Sequence, residues 1–202
     1  MLFKMFTGRT SVLLILVLVA FSCVTGATGR GQTNGGLPEG NWTIKLSHYA
    51  GPEYESMPLQ VTSVKGRVQD AGIWITERYL LNRSDQAVIR AYFDLFFYNE
   101  KEPDVLLFRR PISPLSFKNR PLLPGDTFPT LTDIKAEPPR LGSFALPLVK
   151  DLFAPLIKDG KLEGDYRIAI GVTKVLFEDG SVWELKTNMK QTGVRAFLQP
   201  SS

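Results

Sequence analysis

The chain is nearly devoid of the residues from which compact reactive sites are built. Of its 202 residues one is cysteine, Cys23, and one is histidine, His48. A single cysteine forms no intrachain disulfide, and Cys23 stands ahead of the segment read below as the mature domain, so cysteine-based metal binding and thiolate chemistry are absent there. One histidine falls short of the two or three that histidine-based zinc sites use. It leaves a Ser-His-Asp set conceivable only with His48 as base, but no Gly-x-Ser-x-Gly turn occurs, and a lone strand histidine is more often structural. No run of clustered Lys and Arg exists, which removes the electrostatic footprint of a nucleic-acid binder. No glycine-rich phosphate loop is present, and Asn34-Gly35-Gly36 reads as tether. The N-terminal apolar run, Ser11 to Phe21, is too short to span a bilayer comfortably.

That run is informative for another reason. Lys4 and Arg9 precede it and the small residues Ser22 to Ala27 follow it, the three-part pattern of a secretory signal peptide over residues 1–27. Cleavage after Ala27 places the mature protein outside the cytoplasm, secreted or periplasmic. Cys23 directly follows the apolar run, where a bacterial lipoprotein carries its lipidated cysteine, although Ala20 and Phe21 fit that signal poorly. Lipidation at Cys23 and an uncleaved membrane anchor are the alternatives. Removing Lys4 and Arg9 leaves 22 basic residues against 20 acidic ones, an ordinary balance. Two N-x-[ST] sequons occur, Asn41-Trp42-Thr43 and Asn82-Arg83-Ser84; a eukaryotic secretory route would allow glycans on both, whereas the bacterial character of the signal region favours chance.

Thr28 to Gly40 is Gly-rich and polar and is expected to be a flexible tether (28–40) to one domain over 41–200. Strands are expected at Trp42–His48, Leu59–Val68 and Ile73–Leu81. The strongest alternation is Ala87–Tyr98. It sends Ile89, Ala91, Phe93, Leu95 and Phe97 to one face and Val88, Arg90, Tyr92, Asp94, Phe96 and Tyr98 to the other. Asp104–Phe108 returns as a strand. Prolines concentrate in residues 110–148, which therefore suit edge strands and ordered loops, not central sheet. Leu146–Lys158 is the one helix candidate, with Pro155 breaking or ending it. A hairpin joins Tyr166–Phe177 to Ser181–Leu185 through Asp179-Gly180. A two-residue type I′ loop there sets Leu176 opposite Trp183, and a phase change predicts a bulge near Gly171–Lys174. Val194–Leu198 adds a short terminal strand. Short strands, frequent turns and no βα alternation predict an all-β, antiparallel sandwich with one short helix near 146–158; a closed barrel is the competitor.

Asn82-Arg83-Ser84, then Phe93-Asp94-Leu95, then Leu122-Leu123-Pro124-Gly125 follow the order strand, N-x-S turn, alternating strand with Phe-x-Leu, and L-x-P-G turn. In this, residues 58–135 resemble the FxLYD-type domains, immunoglobulin-like sandwiches of exported bacterial proteins. Phe96-Phe97 stand where that family has Tyr-Asp. The resemblance implies an immunoglobulin-like fold and an envelope location, and it transfers no catalytic residue.

Paired carboxylates, the minimum for a glycosidase, have candidates in Asp94, Glu77, Glu178, Asp179 and Asp165. Cross-strand ion pairing, with Glu77 and Arg78 on a neighbouring strand, explains these acids as simply. Asp159 to Asp165 alternates acids like a calcium loop, but Lys161 occupies a ligand position, so a turn is expected and no metal. The positive feature is an aromatic row: Tyr92, Phe96 and Tyr98, flanked by Arg90 and Asp94, form a candidate contact surface. The competing reading has the proline-rich segment or the 146–158 helix covering that row as a second small core. Trp42, Trp74 and Trp183 read as core anchors. A non-enzymatic domain contacting an envelope or extracellular protein is expected, without cofactor. A carbohydrate-binding module and a carboxylate-pair hydrolase are the alternatives.

Overall fold

Side-chain alternation carries most of this chain into strands. The computed structural model describes residues 26–30, 37–69, 71–135 and 143–186. The strands are β1 (Gly26–Arg30), β2 (Asn41–His48), β3 (Leu59–Gln69), β4 (Gly72–Asn82), β5 (Val88–Asn99), β6 (Glu102–Ser116), β7 (Thr127–Phe128), β8 (Phe144–Leu148), β9 (Gly164–Phe177) and β10 (Val182–Glu184). Helices are brief: α1 (Leu131–Lys135), α2 (Val149–Leu152) and 3₁₀ turns at Tyr54–Ser56 and Ala154–Leu156. The protein is all-β.

One sheet has the order β1-β2-β9-β5-β6, with β10 also on β9; the other has β3-β4-β7, with β8 also on β4. Facing sides of both sheets meet in one core, where Ile73, Ile75 and Leu80 of β4 join Phe93, Leu95 and Phe97 of β5 and Ile168, Ile170 and Val172 of β9. The expected purely antiparallel arrangement is corrected at one place. β2 runs parallel to β9, Trp42 against Gly164 through His48 against Ile170. Strands so far apart in sequence have chain enough between them for a parallel pairing, which a hairpin cannot make.

Thr28–Arg30, expected to belong to a tether, lies in β1 and pairs with Asn41–Thr43 of β2; the expected cleavage point after Ala27 falls within that strand. Val194–Leu198 and Cys23 lie outside the described residues. The proline-rich stretch falls as its chemistry demands, because β6 is the edge of its sheet and carries Pro103, Pro111 and Pro114. The 146–158 helix shrinks to α2, since Phe144–Leu148 pairs with β4 and Pro155 sits in the 3₁₀ turn that follows. Its inner face survives: Val149, Leu152 and Phe153 are buried.

Two bulges decide which way side chains point. Thr173 is the extra residue on β9, between pairs Tyr92–Lys174 and Phe93–Val172, within the span where a bulge was expected. Ile89 is the extra residue on β5, so Val88, expected outside, is fully buried and Ile89 is half-exposed. Turn chemistry supplies a further correction. Asp179-Gly180 does not form a two-residue loop: Leu176 faces Val182, and Phe177 N–H donates to Ser181 O at 3.0 Å. Only Gly180 takes positive φ there, which fits a three-residue loop closing on a left-handed glycine. The type I′ signature belongs to Asp159 (φ 51°) and Gly160 (φ 78°), which join Lys158 and Lys161 in a tight turn.

Candidate functional site

β5 does send Tyr92, Asp94, Phe96 and Tyr98 to the face away from the shared core, but the row is not the exposed surface expected. Phe96 is fully buried and Tyr98 is 6% exposed. The cover is neither the proline-rich segment nor α2; it is Tyr49, the residue after β2. Tyr49 N–H extends the β2–β9 ladder by donating to Ile170 O at 2.9 Å, which swings the phenol across the sheet onto Phe96, ring centroids 4.6 Å apart. Two glycines make room. A Cβ on Gly171 would stand 2.7 Å from Tyr49 Cβ and 2.9 Å from Phe96 Cε2, and one on Gly51 would collide with the Tyr49 hydroxyl. That hydroxyl donates to Glu53 Oε2 at 3.0 Å. Burial, reinforced by Glu53, raises the Tyr49 phenol well above its ordinary value.

The other members of the row are held individually. Asp94 lies 3.5 Å from Arg109 Nε on β6 and accepts from Thr173 Oγ1 at 3.5 Å. Its pKa is raised because burial outweighs the pull of Arg109. Lys174 Nζ stands 6.0 Å over the Tyr92 ring while paired at 2.6 Å with Glu184. Arg90 is half-buried, and its Nε is enclosed without a hydrogen-bond partner. Tyr98 also lines an open cleft.

That cleft is open, about 540 Å³ in volume, and sits between the loop after β2 (Ala50, Gly51, Pro52) and the start of β6 (Pro103, Asp104). Tyr98, Arg167 and Ala169, on the paired strands β5 and β9, form its floor, and His48 also lines it. Arg167 lies on the Tyr98 ring, 4.9 Å from its centroid. It is held there by Nη2–H donating to Pro103 O at 3.1 Å and by Glu100 at 4.0 Å from Nε. Glu100 also takes Lys45 at 3.5 Å. Burial pushes Tyr98 up to about 12, with Arg167 working against that and Glu53 adding to it. His48, half-buried against Tyr54, has its pKa lowered by desolvation, which favours the neutral imidazole. Apolar walls, one carboxylate and one committed cation suit recognition of a side chain, and they include no acid pair across the lining.

The candidate acids do not gather. Glu77 pairs with Lys65 at 2.9 Å, Asp165 accepts from Thr43 Oγ1 at 2.6 Å, and Asp179 caps the Ser181 N–H at 2.9 Å. Among the described residues no three His, Cys, Asp or Glu are arranged to hold a metal, and no helix is long and apolar enough to cross a membrane. Arg78, expected with Glu77 on a strand neighbouring β5, is 2% exposed between the sheets. Its guanidinium carbon lies 4.1 Å from the Phe93 ring centroid and 4.9 Å from that of Phe144, with Nε and Nη1 enclosed and unbonded. Trp42 is a core residue as expected, whereas Trp74 is 47% exposed on the outer face of β4.

The N-x-S and L-x-P-G segments do converge. Asn82 Nδ2 donates to Gln86 O and Leu122 O, both at 2.8 Å, and its Oδ1 accepts from Ser84 N–H at 3.0 Å and Oγ–H at 2.6 Å. Gly125 N–H donates to Asn82 O at 2.9 Å. With every polar atom of its amide engaged and the residue sealed, Asn82 is a turn organiser and offers no acceptor for a glycan. Sequence reasoning missed Tyr49 and the cleft. Gly171 inside a strand was the available signal, because such a glycine marks a close approach.

No protein-family model, curated protein or solved structure matches this chain.

Proposed function

We propose that this protein is an exported, non-enzymatic module with an immunoglobulin-like sandwich fold, of the kind the FxLYD resemblance implies, and that it contacts another envelope or extracellular protein through the Tyr98–Arg167 cleft. The observation that carries the contact reading is that open cleft, where the exposed residues Ala50, Pro52, Pro103 and Asp104 stand beside Tyr98 and Arg167. Its floor is pre-organised, since Arg167 is fixed by Tyr98, Pro103 and Glu100. The convergence of Asn82, Ser84 and Leu122–Gly125 supports the fold assignment, and the signal-like N-terminus supports export.

The test is affinity capture from envelope extract of the source organism, with the full chain as bait beside Ala50→Trp. Ala50 is exposed and lines the cleft, so the indole fills it without entering the core. A partner held by the wild type and lost by the variant supports the reading; a partner held equally by both overturns it.

Carbohydrate binding is the second reading. Arg167 occupies one face of Tyr98, which weakens Tyr98 as a sugar platform. Trp74 favours the reading instead, exposed on the second sheet opposite Arg67 of β3. Quenching of its fluorescence by envelope polysaccharides, abolished in Trp74→Ala, would establish it.

A further inference from the structure

We propose that Arg78 is one half of a latent salt bridge: β8 is a releasable strap, and the acidic side chain of an extended segment from another protein takes the place that Phe144 holds beside the guanidinium. This site lies on the second sheet and does not depend on the Tyr98–Arg167 cleft. Arg78 is 2% exposed, and its Nε and Nη1 have no hydrogen-bond partner. The nearby acids of β4 and β5 are engaged elsewhere: Glu77 pairs with Lys65 of β3, and Asp94 with Arg109 on the far side of β5. Burial lowers the basicity of Arg78, with no carboxylate among the described residues acting against it. An uncompensated buried cation selects an anion. Because folding has already stripped the guanidinium of water, an incoming carboxylate has only its own desolvation to overcome. The bonds it makes to enclosed N–H groups are charge-assisted and therefore strong.

β8 is the element that can make way. Phe93, 4.1 Å from the guanidinium carbon, is 1% exposed and belongs to β5, which is paired along both edges. Phe144, 4.9 Å away, is half-exposed and belongs to a strand held by three ladder pairs with a register break among them. Of the five residues of β8 only Leu146 is buried, and Pro147 has no N–H to give to a ladder. The anchor comes just after: Val149 N–H donates to Ala71 O at 2.8 Å, and Val149, Leu152 and Phe153 are sealed in the core. Phe144–Leu148 can therefore leave β4 while α2 keeps its place. The edge uncovered at Gly72–Ile75 then offers the backbone groups that an added strand pairs with. Phe144 pairs with Ile75 and reaches Arg78, so the residue of the incoming strand opposite Ile75 carries the acid.

The test is a ¹H–¹⁵N titration of the full chain carrying Phe144→Ala, which loosens the strap and uncovers the guanidinium. The probes are the capped peptides Glu-Ala-Leu-Pro-Leu and Gln-Ala-Leu-Pro-Leu, the sequence of β8 with its first residue replaced, and sodium acetate. The Glu peptide is expected to shift the Ile75 amide and the Arg78 Nε–H signal, and to bind about tenfold more tightly than the Gln peptide. That preference should vanish when Arg78→Met is added. In the wild type, binding should be weaker by the factor by which β8 stays closed. Hydrogen exchange at Ala145 and Leu146 measures that factor without any substitution, and it should run about a hundredfold or more faster than at Ile168 and Ile170 of β9. Equal binding of the two peptides, a preference that survives Arg78→Met, or no binding of either would each overturn the proposal. So would an equal response to acetate, which would make the site one for free anions, or β8 amides that exchange only with global unfolding.

Discussion

Replacing Arg78 by methionine should make this protein more stable, the reverse of what most core substitutions do. The guanidinium is 2% exposed and two of its nitrogens, Nε and Nη1, have no acceptor. Desolvation lowers its pKa from the ordinary guanidinium value to about 10. At about 1.4 kcal/mol per factor of ten, that shift is about 3 kcal/mol against the charged form. Stacking on Phe93 and Phe144 returns about 1 kcal/mol at each ring. The balance is a penalty of about 1–2 kcal/mol, which an apolar side chain of similar length avoids while keeping the ring contacts. For a chain of this size the gain corresponds to a rise of about 2–8 °C in Tm. Because the folded-state pKa of this base is depressed, its penalty is complete below about pH 10 and fades as pH rises from there toward the ordinary guanidinium value, so the gain should hold throughout neutral pH. Urea unfolding followed by tryptophan fluorescence measures it. Arg78→Lys should move the opposite way, since a compact ammonium cannot lie flat on two rings. A methionine variant less stable than wild type by about 1 kcal/mol or more would refute the reasoning and mean that Arg78 has a net favourable partner.

Alkaline titration offers a second test. Tyr98 is pushed up to about 12, and Tyr49, Tyr54 and Tyr166 are raised by burial, so their contribution to stability is complete below pH 10 and is lost as pH climbs beyond it. Tyrosinate absorbance should therefore rise in a step coincident with unfolding, and ionisation of all six tyrosines near pH 10 in the folded state would contradict this. Asn82→Ala removes four hydrogen bonds from a sealed turn and should cost about 2–4 kcal/mol, read from the denaturant midpoint. Gly171→Ala places a methyl against Tyr49 and Phe96 and should cost about 1–3 kcal/mol while shifting the Tyr49 ring resonances. No loss of stability there would mean that Tyr49 does not lie on the sheet.

How far residues can be read without coordinates depends on the range of the interaction that places them. Period-two alternation is local, and β2, β3, β4, β5 and β9 fall within one or two residues of their expected bounds. Proline's missing donor is local too, and it predicts that β6 is an edge. Turn geometry is only half local. The same Asp-Gly pair forms a two-residue turn at 159–160 and closes a three-residue loop at 179–180, because β9 and β10 fix the register on either side of the second.

The candidate site shows the limit more sharply. The alternation of β5 correctly groups Tyr92, Asp94, Phe96 and Tyr98 on one face, yet exposure depends on what lies above that face. Tyr49 lies above it only because β2 pairs in parallel with β9, more than a hundred residues away. Arg78 illustrates the same point from inside: its place in β4 was legible, while its burial follows from β8 bringing Phe144 over it.

The β class, the strand positions, the edge role of the proline-rich stretch and the poverty of catalytic residues are legible along the chain, since each depends on a residue's own chemistry or on near neighbours. The tertiary structure alone decided the mixed sheet, the burial of the aromatic row, the cleft and the stranded charge of Arg78. These arise where strands distant in the chain meet, and hydrophobic burial rewards that meeting through total area enclosed without recording in any local pattern which partner will supply it.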